Sequence, residues 1–219
     1  MCGRYVRKDV GEVAISYFEV SDARAAWKPS FNVAPSTLVP VVRLQDDGRR
    51  ELVELNWGLV PAWVKEDSKH SPMINARAET VATKPSYRNA FKSRRCIVPA
   101  SGYFEWKKLP DGKKQPYYFQ RRDGRMIAFA GIWEGQTVAT LTTEPNAEAA
   151  AVHDRMPVIL EKENFARFLK AEPLGDEECR GFLSPSPPRT LVSWPVDRAV
   201  GNVRNNNPGL ILPLAACRT

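Results

Sequence analysis

The sequence predicts an α+β fold with a curved, mainly antiparallel, barrel-like β core and flanking helices, in a single domain spanning residues 1–219. Three observations carry this. Segments rich in β-branched and aromatic residues follow one another through turn-forming residues. Helical segments fall among them without the regular alternation of a doubly wound sheet. The 18 prolines are spread along the chain, which suits short strands and shaped loops.

In chain order, residues 10–18 read as a helix, and 38–44 and 51–57 as strands joined by Asp46-Asp47-Gly48. Pro110-Asp111-Gly112 and Asp123-Gly124 are likewise suited to hairpins, because glycine takes the positive φ that tight turns demand. Strands are expected at 117–120, 126–133 and 137–142. Helices are expected at 146–152 and 164–171, the second with Phe165, Phe168 and Leu169 on one face. Ser184-Pro185-Ser186-Pro187-Pro188 reads as a surface loop before a last strand at 191–194.

An apolar content of 43% is enough to bury a core in 219 residues. Lys and Arg number 32 against 25 Asp and Glu, and the net charge of +7 favours a polyanionic partner. No apolar run reaches the ~20 residues needed to span a bilayer. With no charged-then-apolar leader either, an intracellular protein is expected, cytoplasmic and nucleoid-associated if bacterial. The four cysteines (Cys2, Cys96, Cys179 and Cys217) lack CxxC spacing, so no disulfide framework is expected. The two histidines, His70 and His153, lie far from any cysteine pair, so neither zinc nor another cofactor is expected. Cys96, in Arg95-Cys96-Ile97-Val98, reads as an inert buried thiol.

Met1-Cys2-Gly3-Arg4 is the first segment with distinctive chemistry. Once Met1 is removed, Cys2 offers an α-amine and a thiol on adjacent carbons. An α-amine titrates near 7.7 to 8.0, so part of it is nucleophilic at neutral pH. With an aldehyde the amine forms an imine, and the thiol closes a five-membered ring at the same carbon. A cysteine at position 2 can equally be an accident of a disordered terminus. In Asn75-Ala76-Arg77-Ala78-Glu79-Thr80 a strand would put Asn75, Arg77 and Glu79 on one face, as a wet sheet surface or a phosphate-binding one. Glu105 lies between Phe104 and Trp106, where burial would suit it to acid–base work, although an exposed strand acid would look the same. His153 follows an expected helix and can shuttle a proton or serve structure alone.

Met1-Cys2-Gly3-Arg4-Tyr5, Phe31-Asn32-Val33-Ala34-Pro35, Trp57-Gly58-Leu59-Val60-Pro61, Ile74-Asn75-Ala76-Arg77-Ala78-Glu79-Thr80, Gly102-Tyr103-Phe104-Glu105-Trp106, His153-Asp154-Arg155-Met156-Pro157 and Val200-Gly201-Asn202-Val203 run in order over most of the chain. Together they closely resemble the SOS-response-associated peptidase family. The resemblance implies a barrel-like β core with a groove for single-stranded DNA, and self-modifying capture of abasic sites through a thiazolidine at Cys2. It also implies lyase-like imine chemistry and autocatalytic removal of Met1. The implied partner is abasic single-stranded DNA at replication forks, met by a monomer. Carried over position by position, Cys2 is the nucleophile, Asn75 orients the N-terminus and the opened sugar, and Glu105 and His153 exchange protons. Arg4, Arg77 and Arg155 contact phosphates, while Asn32 and Trp106 line the site.

One departure stands out. Relatives place two adjacent tryptophans before the Asn-Ala-Arg block as a base wedge, whereas this chain has Trp63-Val64 and then a polar loop at 65–71. Trp63 keeps a stacking surface, and His70 has no family role. Two other readings use the same residues: a cysteine autopeptidase with Cys2, His153 and Glu105, and a non-covalent single-strand-binding module with a passive Cys2.

Overall fold

A computed structural model describes residues 2–9, 11–64 and 71–214. Met1, His70, Cys217 and the expected loop at 65–71, apart from Ser71, lie outside them. The chain opens on β1 (Tyr5–Arg7), α1 (Gly11–Tyr17), β2 (Asp22–Ala23) and β3 (Ser30–Val33). The hairpin of β4 (Leu38–Leu44) and β5 (Arg50–Trp57) comes next, turning on Gly48 at φ +81°. After β6 (Asn75–Arg77), α2 (Ala78–Val81) and α3 (Arg88–Ser93) come β7 (Arg95–Ala100), β8 (Gly102–Lys108), β9 (Lys114–Arg121), β10 (Ile127–Glu134) and β11 (Thr137–Thr143). The last elements are α4 (Ala147–Ala150), β12 (Met156–Pro157), α5 (Phe165–Leu169), α6 (Asp176–Leu183) and β13 (Leu191–Pro195).

The strands form two sheets. The smaller runs β13-β9-β8-β1-β3, and the larger β12-β11-β10-β7-β4-β5-β2 with β6 lying parallel on β11. β11 also meets β5 through Thr137↔Asn56 and Val138↔Trp57, which bends the larger sheet into a ring. The ring is not a closed barrel, because β4 and β7 come into register only at Val42↔Ile97.

Burial on both faces explains the composition of the ring strands. On β10, Ile127 and Phe129 face an inner cluster with Tyr5, Trp57 and Tyr103, while Ala128, Ala130 and Ile132 face the residues that pack α1, α3 and α5 against the sheet. β7 is divided in the same way, with Cys96 and Val98 inward and Ile97 toward the helices. Cys96 is fully buried and its thiol pKa is pushed up by desolvation, which leaves it inert. No helix among the described residues is long and apolar enough to cross a membrane.

Several expectations are corrected. Asp123-Gly124 is not a hairpin turn: it carries the chain from β9 in one sheet to β10 in the other. The Asp123 carboxylate there accepts hydrogen bonds from Arg121 and Arg125, which hold its pKa well below the usual carboxylate range. The strand at Asn75 ends with Arg77, so Glu79 belongs to α2 and not to the same strand face. The helix expected at 146–152 shortens to Ala147–Ala150, started by the Asn146 side chain accepting the Ala149 N–H at 3.0 Å. The one expected at 164–171 ends at Leu169, because Lys170 turns to an extended ψ of 139°. Nor does the proline-rich loop lie wholly on the surface: Ser186 is buried and its carbonyl accepts from Asn146 Nδ2 at 3.3 Å.

Candidate functional site

β1 is laid between β3 and β8, with Tyr5 opposite both Val33 and Tyr103. The Phe104 N–H donates to the Arg4 carbonyl at 2.9 Å and prolongs this pairing toward the start of the chain. Cys2 is drawn inside: it is 2% exposed and belongs to the cluster that holds Tyr5, Tyr103 and Trp57. Its Sγ points at the Arg4 carbonyl, 3.9 Å away. Burial, and then the negative charge of Glu105, push the thiol pKa well above its ordinary value. At rest the sulfur is therefore a protonated thiol, and its reaction needs a proton acceptor.

Asn75 ties this segment to the larger sheet. Its Nδ2 donates to the Cys2 carbonyl at 2.8 Å, and its own carbonyl accepts from the Tyr87 hydroxyl at 3.3 Å. The parallel register of β6 and β11 sets Thr140 against Asn75, where the Thr140 hydroxyl donates to Oδ1 at 2.6 Å. Because the Cys2 carbonyl can only accept, the amide turns its NH2 toward it and leaves Oδ1 to the Thr140 hydroxyl. Thr140, 2% exposed, is thus a site residue that sequence reasoning missed. A threonine in a strand is ordinary, and only its register reveals it.

Glu105 lies on β8 and His153 just after α4. Phe104 packs into a separate apolar cluster on the opposite face, yet Glu105 is only 3% exposed, buried on the Cys2 side. Desolvation raises its carboxyl pKa, with His153 pulling the other way. His153 Nε2 stands 3.9 Å from Glu105 Oε2. Its Nδ1 accepts the Arg155 N–H at 3.1 Å and lies 2.9 Å from Asp154 Oδ1. The first contact favours a proton on Nε2 and the second a proton on Nδ1, which suits a ring that passes protons.

The expected DNA contacts are placed unequally. Arg4 Nη1 donates to Asn32 Oδ1 at 2.7 Å and to the Val200 carbonyl at 2.8 Å, while the guanidinium lies 5.9 Å from the Trp106 ring centre. Asn32 Nδ2 donates to the carbonyls of Asn202 and Asn205 at 3.0 and 2.8 Å, so this buried amide organises the segment around the 3-10 turn at Arg198–Gly201. Arg77 is exposed beside an open groove of about 730 Å³ that Asn75, Thr80 and Lys84 also line. A second recess of about 340 Å³ is lined by Glu105, Trp106, Lys114, His153 and Gly201. Trp63 stands 64% exposed after β5. Arg155 is engaged within the protein: it grips Glu79 with two hydrogen bonds at 2.6 and 2.9 Å, and Nη2 also donates to the Thr142 carbonyl at 2.6 Å.

The comparisons agree on one family. The model of the SOS response associated peptidase family matches residues 1–203. The chain is 34% identical to the abasic site processing protein YoqW of Bacillus subtilis, covering 96% of this chain and 99% of that one. It is 33% identical to the abasic site processing protein YedK of Escherichia coli, covering 98% and 100%. Among solved structures, a Bacteroides thetaiotaomicron protein superposes with a TM-score of 0.75 at 27% identity, covering 95% of this chain and 92% of that one.

Proposed function

The chain belongs to the SOS response associated peptidase family, and from that premise we propose that it captures abasic sites in single-stranded DNA as a thiazolidine at Cys2. Met1 is removed first. The Cys2 thiol attacks the Met1 carbonyl, a C–S bond forms as the amide C–N bond breaks, and the departing amine takes a proton. Water then splits the thioester and leaves Cys2 with a free α-amine.

Capture follows from the same residues. The sugar hemiacetal opens when Glu105 and His153 take one proton and return another, exposing an aldehyde. The α-amine adds to that carbon, and water leaves to give an imine. The thiol sulfur then attacks the imine carbon: the C–S bond forms, the C=N electron pair moves to nitrogen, and the thiol proton reaches that nitrogen through the buried acid–histidine pair. Aldehyde and aminothiol become thiazolidine plus one water. Asn75 holds the Cys2 carbonyl so that amine and sulfur converge on one carbon. Arg77 grips a phosphate at the mouth of the groove, and Trp63 and Trp106 offer faces for bases.

The observation that carries this reading is the amide of Asn75 bonded to the Cys2 carbonyl at 2.8 Å, beside a carboxyl whose pKa is raised by burial. The test is denaturing electrophoresis of the protein after incubation with oligonucleotides that do or do not hold an abasic site. A heat-stable shift confined to the abasic strand is expected, together with a mass that starts at Cys2. Cys2→Ala, produced so that its chain starts at residue 2, should lose the heat-stable adduct and keep an imine that borohydride traps. Proteolysis of unrelated substrates with no shift would favour the peptidase reading, and stable adducts undiminished in Cys2→Ala would exclude the thiol.

A further inference from the structure

The β8–β9 hairpin carries an arrangement that folding alone does not reward. Lys108 and Lys114 stand directly opposite one another in its antiparallel register. They share a strand face with Trp106 and Pro116, the neighbouring pair on that face. Like charges in that position repel. Both lysines are exposed, and the neighbouring Lys113 pairs with Asp111 at 3.3 Å at the hairpin's tip. β9 is also anchored to the segment that follows β13. Gln115 Nε2 donates to the Val196 carbonyl at 2.8 Å, and the Val196 N–H donates to the Pro116 carbonyl at 3.0 Å.

One lysine of the pair also borders the site. Lys114 and Trp106 both line the recess that holds Glu105 and His153. Trp106 and Lys108, two residues apart on one strand, are separated by about 7 Å, the scale of one nucleotide in an extended single strand. An aromatic platform followed by two cations is the pattern with which proteins bind single strands irrespective of sequence.

We propose that the Trp106–Lys108–Lys114 face is a track for the single-stranded DNA that flanks the captured nucleotide on one side, with the indole under a base and the lysines on phosphates. This rests on the reading of Cys2 as the capture site. Neutralising phosphates removes the repulsion between the lysines and releases about 0.7 counterion per contact.

The test compares wild type with Lys108→Gln/Lys114→Gln and with a remote control, Lys92→Gln/Lys170→Gln. Binding is measured against salt on single strands bearing a tetrahydrofuran abasic analogue, which has no aldehyde, with the flank on the 5′ side, on the 3′ side, or made duplex. For one single-stranded flank the hairpin variant should bind roughly tenfold more weakly near 0.1 M salt, with the slope of log K against log salt smaller by about 1.4. The other flank and the remote control should match wild type. An unaltered slope, equal loss on both flanks, equal loss in the remote control, or an effect limited to the duplex flank would overturn the track. Two outcomes separate it from the capture reading. Normal wild-type adducts with an unaltered slope sink the track alone. A flank-specific slope change in a protein that forms no adducts sinks capture alone.

Discussion

Thr140 and Glu105 show how single side chains set this site's chemistry. Thr140 contributes one hydroxyl that satisfies Oδ1 of Asn75 and steadies the amide whose NH2 holds the Cys2 carbonyl. Thr140→Val should lower the rate of adduct formation about tenfold, consistent with ~1 to 2 kcal/mol for one lost buried hydrogen bond. Thr140→Ser should restore it, as single-turnover gels would show, and a Val variant as fast as wild type would refute the orienting role. Glu105 carries a carboxyl whose pKa burial raises in the fold. Since the unfolded chain ionises more readily, this group's contribution to stability is present below its ordinary pKa and is lost as pH rises through the raised one. Glu105→Gln should therefore melt higher than wild type at pH 7 to 8, with the gap closing below pH 4.5 or so, while adduct formation falls ~100-fold or more. Equal melting at both pH values would contradict the burial argument. Of this chemistry Cys2, Asn75, Glu105 and His153 were legible as residue types in a family pattern. Thr140 was not, because its part depends on which strand lies beside it.

Among the elements, β11 supports both halves of the site. Thr140 steadies Asn75 from it, and its Thr142 carbonyl accepts Arg155. Arg155 in turn grips Glu79 on α2, and its backbone N–H meets His153. The Arg155 hydrogen bonds lower the Glu79 carboxyl pKa, so the pair is intact at neutral pH and loosens as acid protonates Glu79. Glu79→Gln should cost about 1 kcal/mol at neutral pH in urea unfolding, since Glu79 is partly exposed and the pair is screened, with less difference in acid. It should also alter the pH profile of adduct formation through His153. A loss of stability with the profile unmoved would leave the pair merely structural. The β4–β5 hairpin was legible because its strands are long and its turn chemistry is explicit. β1, β2 and β12 were not, because runs of two or three residues are defined by their partners. β7 was noticed only for its buried thiol: burial on both faces replaces the alternation that marks a strand with a plain apolar run.

The molecule as a whole is held by a ring-like sheet and by a buried cation between that sheet and its helices. Arg95 is 1% exposed and donates to the carbonyls of Phe91, Lys92, Phe168, Lys170 and Glu172, joining the ends of α3 and α5 to β7. Desolvation brings its pKa down to about 10, so it stays charged at neutral pH. Arg95→Met would leave these carbonyls without their donor, and a loss of about 3 kcal/mol or more is expected in urea unfolding. A change under 1 kcal/mol would mean that water replaces the guanidinium at little cost. Nothing in an apolar segment beginning with arginine announces this part, since the carbonyls of Phe168, Lys170 and Glu172 come from far along the chain.

The corner between β10 and β11 has a consequence of a different kind. Gly135, at φ +53°, lets two residues join strands paired from Glu134↔Thr137 onward, and this fixes which β11 side chain reaches Asn75. Adding one link to the strand beyond that corner would turn every following threonine to the other wall. Adding two would keep the wall but overshoot the amide. What this bend safeguards is a tally: its surface can drift in chemistry, but a miscount of a single peptide unit would carry Thr140 away from the amide and leave the nucleophile unaligned.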